Sequence, residues 1–257
     1  MLTSYLTATR SLLQLPGSNS TSLYADADLT RFINTARGQV AGEAGCIRVM
    51  GTISTVAGQQ PYPFSGVTVG TPATSGVQGI INIRSLSYVV GTGQLWLTPR
   101  AWPWFSLYNL NNAAPQQGAP KEWAQFGQGA APPPVTAPSG GSVQGGSFYL
   151  SPVPDDIYQI NCNSVCYPIA LVDDTTVEAL PYLWTDAVPF FAAYFALMSA
   201  QTNARMADAA QMYKGHYAEF MDRARKQANS DVNNWLYQQS GDPAQAPKMG
   251  VKGGSGG

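Results

Sequence analysis

Both ends of this chain repeat their apolar residues at a helical spacing and the stretch between them does not, which limits the fold more than any other feature. In DADLTRFINTARGQVAGEAG, residues 26 to 45, apolar side chains recur at Leu29, Phe32, Ile33, Ala36, Val40 and Ala44, the spacing of one helix face. Towards the other end Met206, Ala209, Ala210, Tyr213, Tyr217, Phe220, Met221 and Ala224 do the same. Between these parts no acidic residue occurs from Glu43 to Glu122, and only Arg84 and Arg100 are basic between Arg48 and Lys121. That middle consists of alternating or β-branched runs, GVTVG, GIINIRSLSYVV, QLWLT, GSFYL, DIYQINCNSV and YPIALV, separated by turn residues, which predicts strands. Two apolar stripes bury each other by packing together, so the ends of the strand-rich middle must lie close in space. The fold class is therefore α+β: a helical bundle from the N- and C-terminal segments, an inserted β-rich domain and an extended C-terminal tail.

Residues 1–45 are assigned to the N-terminal helices, the first over about Thr3 to Leu15, stopped by PGSNS and forming a hairpin with the second. Asp26 is placed to cap the second helix, Asp28 to favour its dipole and Gly45 to close its last turn. Gly38 and Gly42 each cost about 1 kcal/mol against Ala in a helix interior. Close approach of another helix or of a neighbouring subunit would offset that, which makes the pair candidate subunit-interface residues.

Residues 46–179 form the inserted β-rich domain. Its loop GQGAAPPPVTAPSGGSVQGG, residues 127–146, has too little apolar surface and too much Pro and Gly for a regular element, and reads as a mobile or partner-ordered excursion. Residues 180–231 supply the C-terminal helices, with Thr185 or Asp186 as a cap and Pro189 in the first turn. Within them VPFFAAYFALMSA has 13 residues, short of the roughly 20 that span a bilayer, so it reads as a buried core helix and no membrane is implied. Residues 232–257 form the extended tail, in which Trp235, Leu236 and Tyr237 make a small apolar cluster able to order on a partner.

Charged residues are 11% of the chain, less than half the globular share of about 25%, and so weakly charged a surface suits assembly. A net charge of -1 excludes tight phosphate-driven nucleic-acid binding while leaving passing contact with DNA. Cys46, Cys162 and Cys166 leave at least one thiol unpaired, and MLTSYLTATR has no uninterrupted apolar core of a signal peptide, which points to synthesis in a reduced cytoplasm.

Candidate chemistry is sparse. His216 is the only histidine, has no second ligand at metal spacing, and reads as a surface or rim helix residue. Cys162 and Cys166 share one face of a strand, but zinc needs about four ligands and only Cys46 is left to join them. Asp155 with Asp156 and Asp173 with Asp174 have the makings of acid–base or cation sites, yet each pair lies beside turn residues and reads as a turn cap. No phosphate loop or dinucleotide fingerprint occurs. We therefore expect no enzyme, no catalytic residues, no metal and no cofactor. The aromatic group Trp96, Trp102, Trp104, Phe105 and Tyr108 is either core of the β-rich part or an exposed stacking or interface centre.

Read in order, DLTRFINTARGQVAGEAGCIR, the neutral middle, FYLSPVPDDIYQI and ALPYLWTDAVPFFAAYFALMSAQTNARMADAAQMYKGHYAEFMDRAR resemble the head-to-tail adaptor (connector) proteins of tailed bacteriophages. The resemblance covers the helical ends and the segment from about Phe148 to Arg225, while residues 52 to 146 match in general character only. In that family an Asn-x-Ala-Arg-like helix, here Asn34, Ala36 and Arg37, packs against two C-terminal helices. The resemblance implies a structural virion protein, made and assembled in the host bacterial cytoplasm and lying at the head–tail junction. Copies form a ring there, typically a dodecamer, under the portal protein. The ring meets a tail (nozzle or tail-completion) protein below and lets double-stranded DNA pass without sequence preference during genome ejection. By the same resemblance the C-terminal tail is the portal contact; we place its anchor at Trp235, Leu236 and Tyr237, and the β-rich part with its Pro-rich loop would then face the tail. A ring needs one face of each subunit to meet a different face of the next, and the small-residue side at Gly38 and Gly42 fits that need. Two other readings stand beside this one: a tail-tube or tail-completion protein, and a carbohydrate-binding or hydrolytic module built on Trp102, Trp104, Asp155 and Asp156.

Overall fold

A computed structural model describes residues 1–14, 24–70, 76–91, 93–110, 116–129, 145–200 and 204–239, with the side chains of 109–110, 204–205 and 227–239 outside the description. The chain is α+β. Helix α1 spans Leu2–Leu12 and α2 spans Asp26–Ala44; the predicted stop PGSNS between them lies outside the described residues. The α2 stripe is buried as its spacing demands, with Leu29, Ile33, Ala36 and Val40 all at 0% exposure. Asp26 does not cap the helix: the N-cap is Ala25, and the Asp26 carboxylate pairs instead with Arg10 of α1. Arg10 is buried, and a guanidinium withdrawn from water holds a counter-charge more strongly than a helix end does.

Gly45 closes α2 in the left-handed conformation at φ 56° and ψ 33°, its N–H donating to Ala41 O. Its Cβ position lies 3.8 Å from Val165 Cγ2, ordinary contact, so the penalty of a side chain there is conformational. Gly45→Ala is expected to lower stability by about 1–2 kcal/mol, read as a shifted urea midpoint at unchanged slope; an unshifted midpoint would mean that α2 ends differently in solution.

Among the described residues the strand-rich middle contributes a 3-10 turn at Phe64–Gly66 and one α-helical turn, α3 (Trp102–Phe105), that continues as a π-helical turn over Ser106–Leu110; then α4 (Tyr182–Thr185), α5 (Ala187–Ser199) and α6 (Ala204–Gln239) follow. Helix α5 packs against α1, α2 and α6, and Val188, Ala192, Ala193 and Ala196 at 0% exposure keep that approach close. The α6 stripe is buried at Ala210, Tyr217, Met221 and Ala224. It rests chiefly on α5, where Phe191 and Tyr217 have ring centroids 4.3 Å apart. Thus α5, more than α6, is what covers the α2 stripe. Pro189 is the third residue of α5, in the first turn as expected, but neither predicted cap operates: Asp186 makes no cap hydrogen bond and Thr185 Oγ1 donates back to Tyr182 O. Helix α6 runs on to Gln239, past the predicted end at Asp231, because no Gly or Pro interrupts the chain between Gly215 and Gly241. Residues 240–257 of the predicted tail lie outside the described residues.

Among the described residues the middle holds two four-stranded sheets. In the first, β1 (Arg48–Ser54), β8 (Gln159–Pro168), β3 (Val77–Val90) and β4 (Gly93–Trp96) lie in that spatial order, all antiparallel. In the second, β2 (Pro61–Pro63), β7 (Ser147–Ser151) and β6 (Glu122–Phe126) are antiparallel, and β5 (Thr98–Pro99) joins β6 in parallel. The uneven alternation of GIINIRSLSYVV has a physical cause: the β3–β8 pairing shifts register at Gln78/Ile80, Ile80/Asn82 and Ile83/Ser85, and each irregularity re-aims the following side chains. GVTVG makes only an isolated bridge from Thr68 to Thr52, and YPIALV leaves its sheet after Pro168.

One buried cluster runs from Ile33, Val40 and Val188 of the helices to Leu86 and Ile160 of the first sheet and Phe148 and Leu150 of the second. Most of the predicted excursion, residues 130–144, lies outside the described residues, but both of its roots are tied down. Gly129 N donates to Ile81 O at 2.8 Å and Phe64 N donates to Gly146 O at 2.9 Å. At Gly129 a Cβ would sit 1.5 Å from Ile80 O, so only glycine allows that approach.

Candidate assembly site

Asn34 and Arg37 are three apart on α2 and so share a face. Arg37, at 1% exposure, meets Glu178 through two parallel bonds, Nε to Oε2 at 3.0 Å and Nη2 to Oε1 at 2.7 Å. Its Nη1 donates to Ile169 O at 2.7 Å and to Asn34 Oδ1 at 3.1 Å. Asn34 in turn pairs with the backbone of Leu171 in both directions, donating from Nδ2 to its O and accepting from its N at Oδ1. Glu178 Oε1 also accepts from Leu180 N at 2.9 Å. A buried charge pair is tolerable only when its remaining hydrogen-bonding capacity is filled, and here it is. The Tyr5 phenol of α1 is raised well above its ordinary pKa, first by burial and then by the Glu178 carboxylate, so it stays protonated. This knot fixes α2 to the segment that leaves β8 and enters α4, where the strand-rich middle returns to the helices. Asn34 and Arg37 therefore bind that connecting segment directly.

The candidate interface glycines lie elsewhere on α2. Gly42 is exposed and Gly38 half-buried, and a Cβ at either meets nothing within 4 Å. Of the two ways to offset their cost, the close approach of another helix of the same chain is not found among the described residues. Trp235, Leu236 and Tyr237 fall in the last turns of α6, with side chains outside those described.

The aromatic group divides between core and surface. Phe105 is fully buried, while Trp96, Trp104 and Tyr108 are exposed. Half-buried Trp102 lies with its ring centroid 4.6 Å from that of Phe126 and 4.8 Å from that of Tyr149. On the same helical turn, Trp104 carries the Arg100 guanidinium 4.8 Å from its ring centre, and Arg100 is paired with Glu122.

The acidic pairs are committed to turns and straps. Asp155 accepts from Tyr158 Oη at 2.8 Å, and that bond leads in pushing the phenol up to about 12. Asp156 Oδ1 accepts from Ile157 N. Asp173 Oδ1 accepts from the backbone and hydroxyl groups of Thr175 and Thr176, led by the Thr175 hydroxyl, which hold its carboxyl below the ordinary value. Asp174 accepts from Thr3 N at 2.9 Å and from the Met1 amino group at 2.6 Å. His216 is exposed, with Glu219 at 3.6 Å. Burial raises the thiols of Cys46 and Cys162 to about 12 and that of Cys166 to about 11, so they carry little of the thiolate that ligation or nucleophilic attack requires. Among the described residues no three His, Cys, Asp or Glu gather at metal-holding distance, and no helix is long and apolar enough to cross a membrane.

The sequence reading left Glu178 out. Its signal was there: a single acid inside the otherwise uncharged run TTVEALPYLW, a setting in which a carboxylate needs a partner.

Helices packed on two sheets, with these polar groups engaged in internal joints, describe a scaffold and by themselves name no function. The family model described as SU10 adaptor protein matches residues 3–241, and the chain belongs to that family, a bacteriophage head–tail adaptor. It is thus a structural protein of the virion that associates with other head–tail proteins. The match takes in the strand-rich middle and the end of α6 as well as the helical parts. No curated protein matches the chain.

Proposed function

We propose that copies of this chain form a ring, twelve-fold as is typical of such adaptors, that joins the portal of the DNA-filled head to a nozzle or tail-completion protein and acts as a passive conduit for the genome. The ring catalyses nothing. The family match over residues 3–241 carries this reading. Two observations support it. A Cβ at Gly38 or Gly42 meets nothing within 4 Å, which leaves room on α2 for the heterologous contact a ring requires. The net charge of -1 suits a channel that must release DNA, since each phosphate neutralised by the wall strengthens retention through counterion release.

Electron microscopy of the purified chain mixed with its portal ring tests the proposal. Added density at one end of the portal, carrying the portal's symmetry, is the expected result. Rings or tubes of the chain alone, with no density on the portal, would move the assignment to a tail component.

The portal contact is assigned to the end of α6, with Trp235, Leu236 and Tyr237 as anchor, and the sheets to the tail side. Truncation after Ser230 is expected to weaken portal attachment by about tenfold or more, the effect of losing an aromatic hot spot, with an unchanged unfolding midpoint. Attachment at full strength would remove the anchor from this segment.

A further inference from the structure

The first sheet has a polar side turned from the core, and that side gathers cations without an acid. Residues opposite each other in adjacent strands share a face. The register sets Arg48, Val165 and Asn82 in one row across β1, β8 and β3, then Met50, Asn163 and Ser85, then Thr52, Asn161 and Ser87. The other side of the sheet is the core side, where Ile160, Cys162 and Cys166 are at 0% exposure. In the polar rows Val165 and Ser87 are covered, while Arg48 and Met50 are exposed. Arg84 is the residue left over at the β3 irregularity between Ile83 and Ser85; being exposed, it lies on the side of Arg48 and not in the core. With β8 between them, the backbones of β1 and β3 run about 10 Å apart, a gap that two arginine side chains can close. The Arg84 guanidinium is held below its ordinary pKa, first by partial desolvation and then by the charge of Arg48. No Asp, Glu or Lys occurs in β1, β3, β4 or β8, and Glu43, the last acid before Arg48, faces Arg225 at 3.7 Å. Two like charges gathered on an acid-free sheet repel each other, and an anion set between them removes that cost. Half-buried Asn161 and Asn163 belong to the same rows and add uncharged amide donors to the face.

We propose that Arg48 and Arg84 touch the sugar–phosphate backbone of the double-stranded DNA that passes through the assembly, so that this face of the first sheet lines the channel. Charge complementarity carries the assignment: the duplex is a continuous row of phosphates, and the face holds cations with no acid in its strands to compete for them. Backbone contacts read no sequence, as passage of a whole genome requires. The inference rests on the conduit reading above and adds which surface meets the DNA.

The test uses the full chain at high concentration and a short labelled DNA duplex of arbitrary sequence, followed by fluorescence anisotropy. With two phosphates neutralised, affinity is expected to fall about tenfold as salt rises from about 50 to about 200 mM, and equally for a duplex of unrelated sequence. Arg48→Gln with Arg84→Gln, checked for an unchanged unfolding midpoint, is expected to lose at least about tenfold in affinity at the lower salt and most of the salt dependence. Should that pair fail to fold, the single variants take its place, each expected to lower the salt slope by about one. Arg48→Lys with Arg84→Lys keeps the charge and is expected to keep the slope. The control Arg223→Gln with Lys226→Gln removes the same charge from α6 and is expected to leave binding within about twofold. Absence of duplex binding by the wild type at the lower salt, undiminished binding by the glutamine pair, or an equal loss in the control overturns the proposal. Mounting of the wild type on the portal without arginine-dependent duplex binding also overturns it, and leaves the conduit reading standing. Arginine-dependent binding by a chain that does not mount on the portal counts against the conduit reading and leaves the contact with DNA standing.

Discussion

Arg37→Ala should lower the stability of the protomer by about 3–5 kcal/mol, because it leaves Glu178 buried without its counter-charge. Glu178 is only 9% exposed at its side chain and keeps just one other partner, Leu180 N, among the bonds described above; Asn34 loses one of its contacts and Ile169 O its donor. Since a domain is stable by only about 5–15 kcal/mol in total, the variant should sit near its folding limit at physiological temperature. Urea unfolding followed by tryptophan fluorescence measures it. The paired replacement Arg37→Met with Glu178→Leu should recover most of the loss, as apolar substitutes for a complete buried pair often do. A loss below about 1 kcal/mol in Arg37→Ala would mean that water reaches the pair and screens it like a surface bridge.

Gly42→Leu should act in the opposite sense on the protomer and the assembly. In the isolated chain the added side chain meets nothing within 4 Å, and leucine is the better helix former by somewhat under about 1 kcal/mol, so the unfolding midpoint should rise slightly. If α2 meets its neighbour closely at this point, the same side chain forces the two subunits apart, and over-packing an interface costs about 1–3 kcal/mol at every copy of the contact. Repeated around a closed ring, that should abolish assembly. Gly38→Leu should behave alike. Sedimentation and electron microscopy of the variants on portal rings would check this, and normal rings would clear the glycine face of any part in the contact.

The stripe of α2 was legible in the sequence because helix burial depends on local spacing alone, and Leu29, Ile33, Ala36 and Val40 are all inside. The left-handed turn at Gly45 was legible for the same reason. Which helix covers that stripe was not, since α5, apolar nearly all round, has no single face to pair by pattern and lies between α2 and α6. Strand β1, RVMGTIS, went unread because it has no clean alternation, and β6, EWAQF, because its apolar content is slight. The register shifts in β3 hid its two faces. The knot at Arg37 was least legible: its partner lies 141 residues away, and no local rule links a helix arginine to one glutamate in a distant loop. Asp26 misled because a capping signal says what a residue can do at a helix end, while the buried Arg10 nearby decided what it does.

The single core that joins the helices to both sheets has a mechanical consequence. With Val40, Leu86 and Phe148 in one packed cluster and Arg37 bolted to the segment leaving β8, the described helices and sheets are packed as one body. A displacement imposed at the sheets must reach the helices as movement of a whole body. If copies assemble as proposed, yielding under load is expected at the contacts between subunits rather than inside one of them.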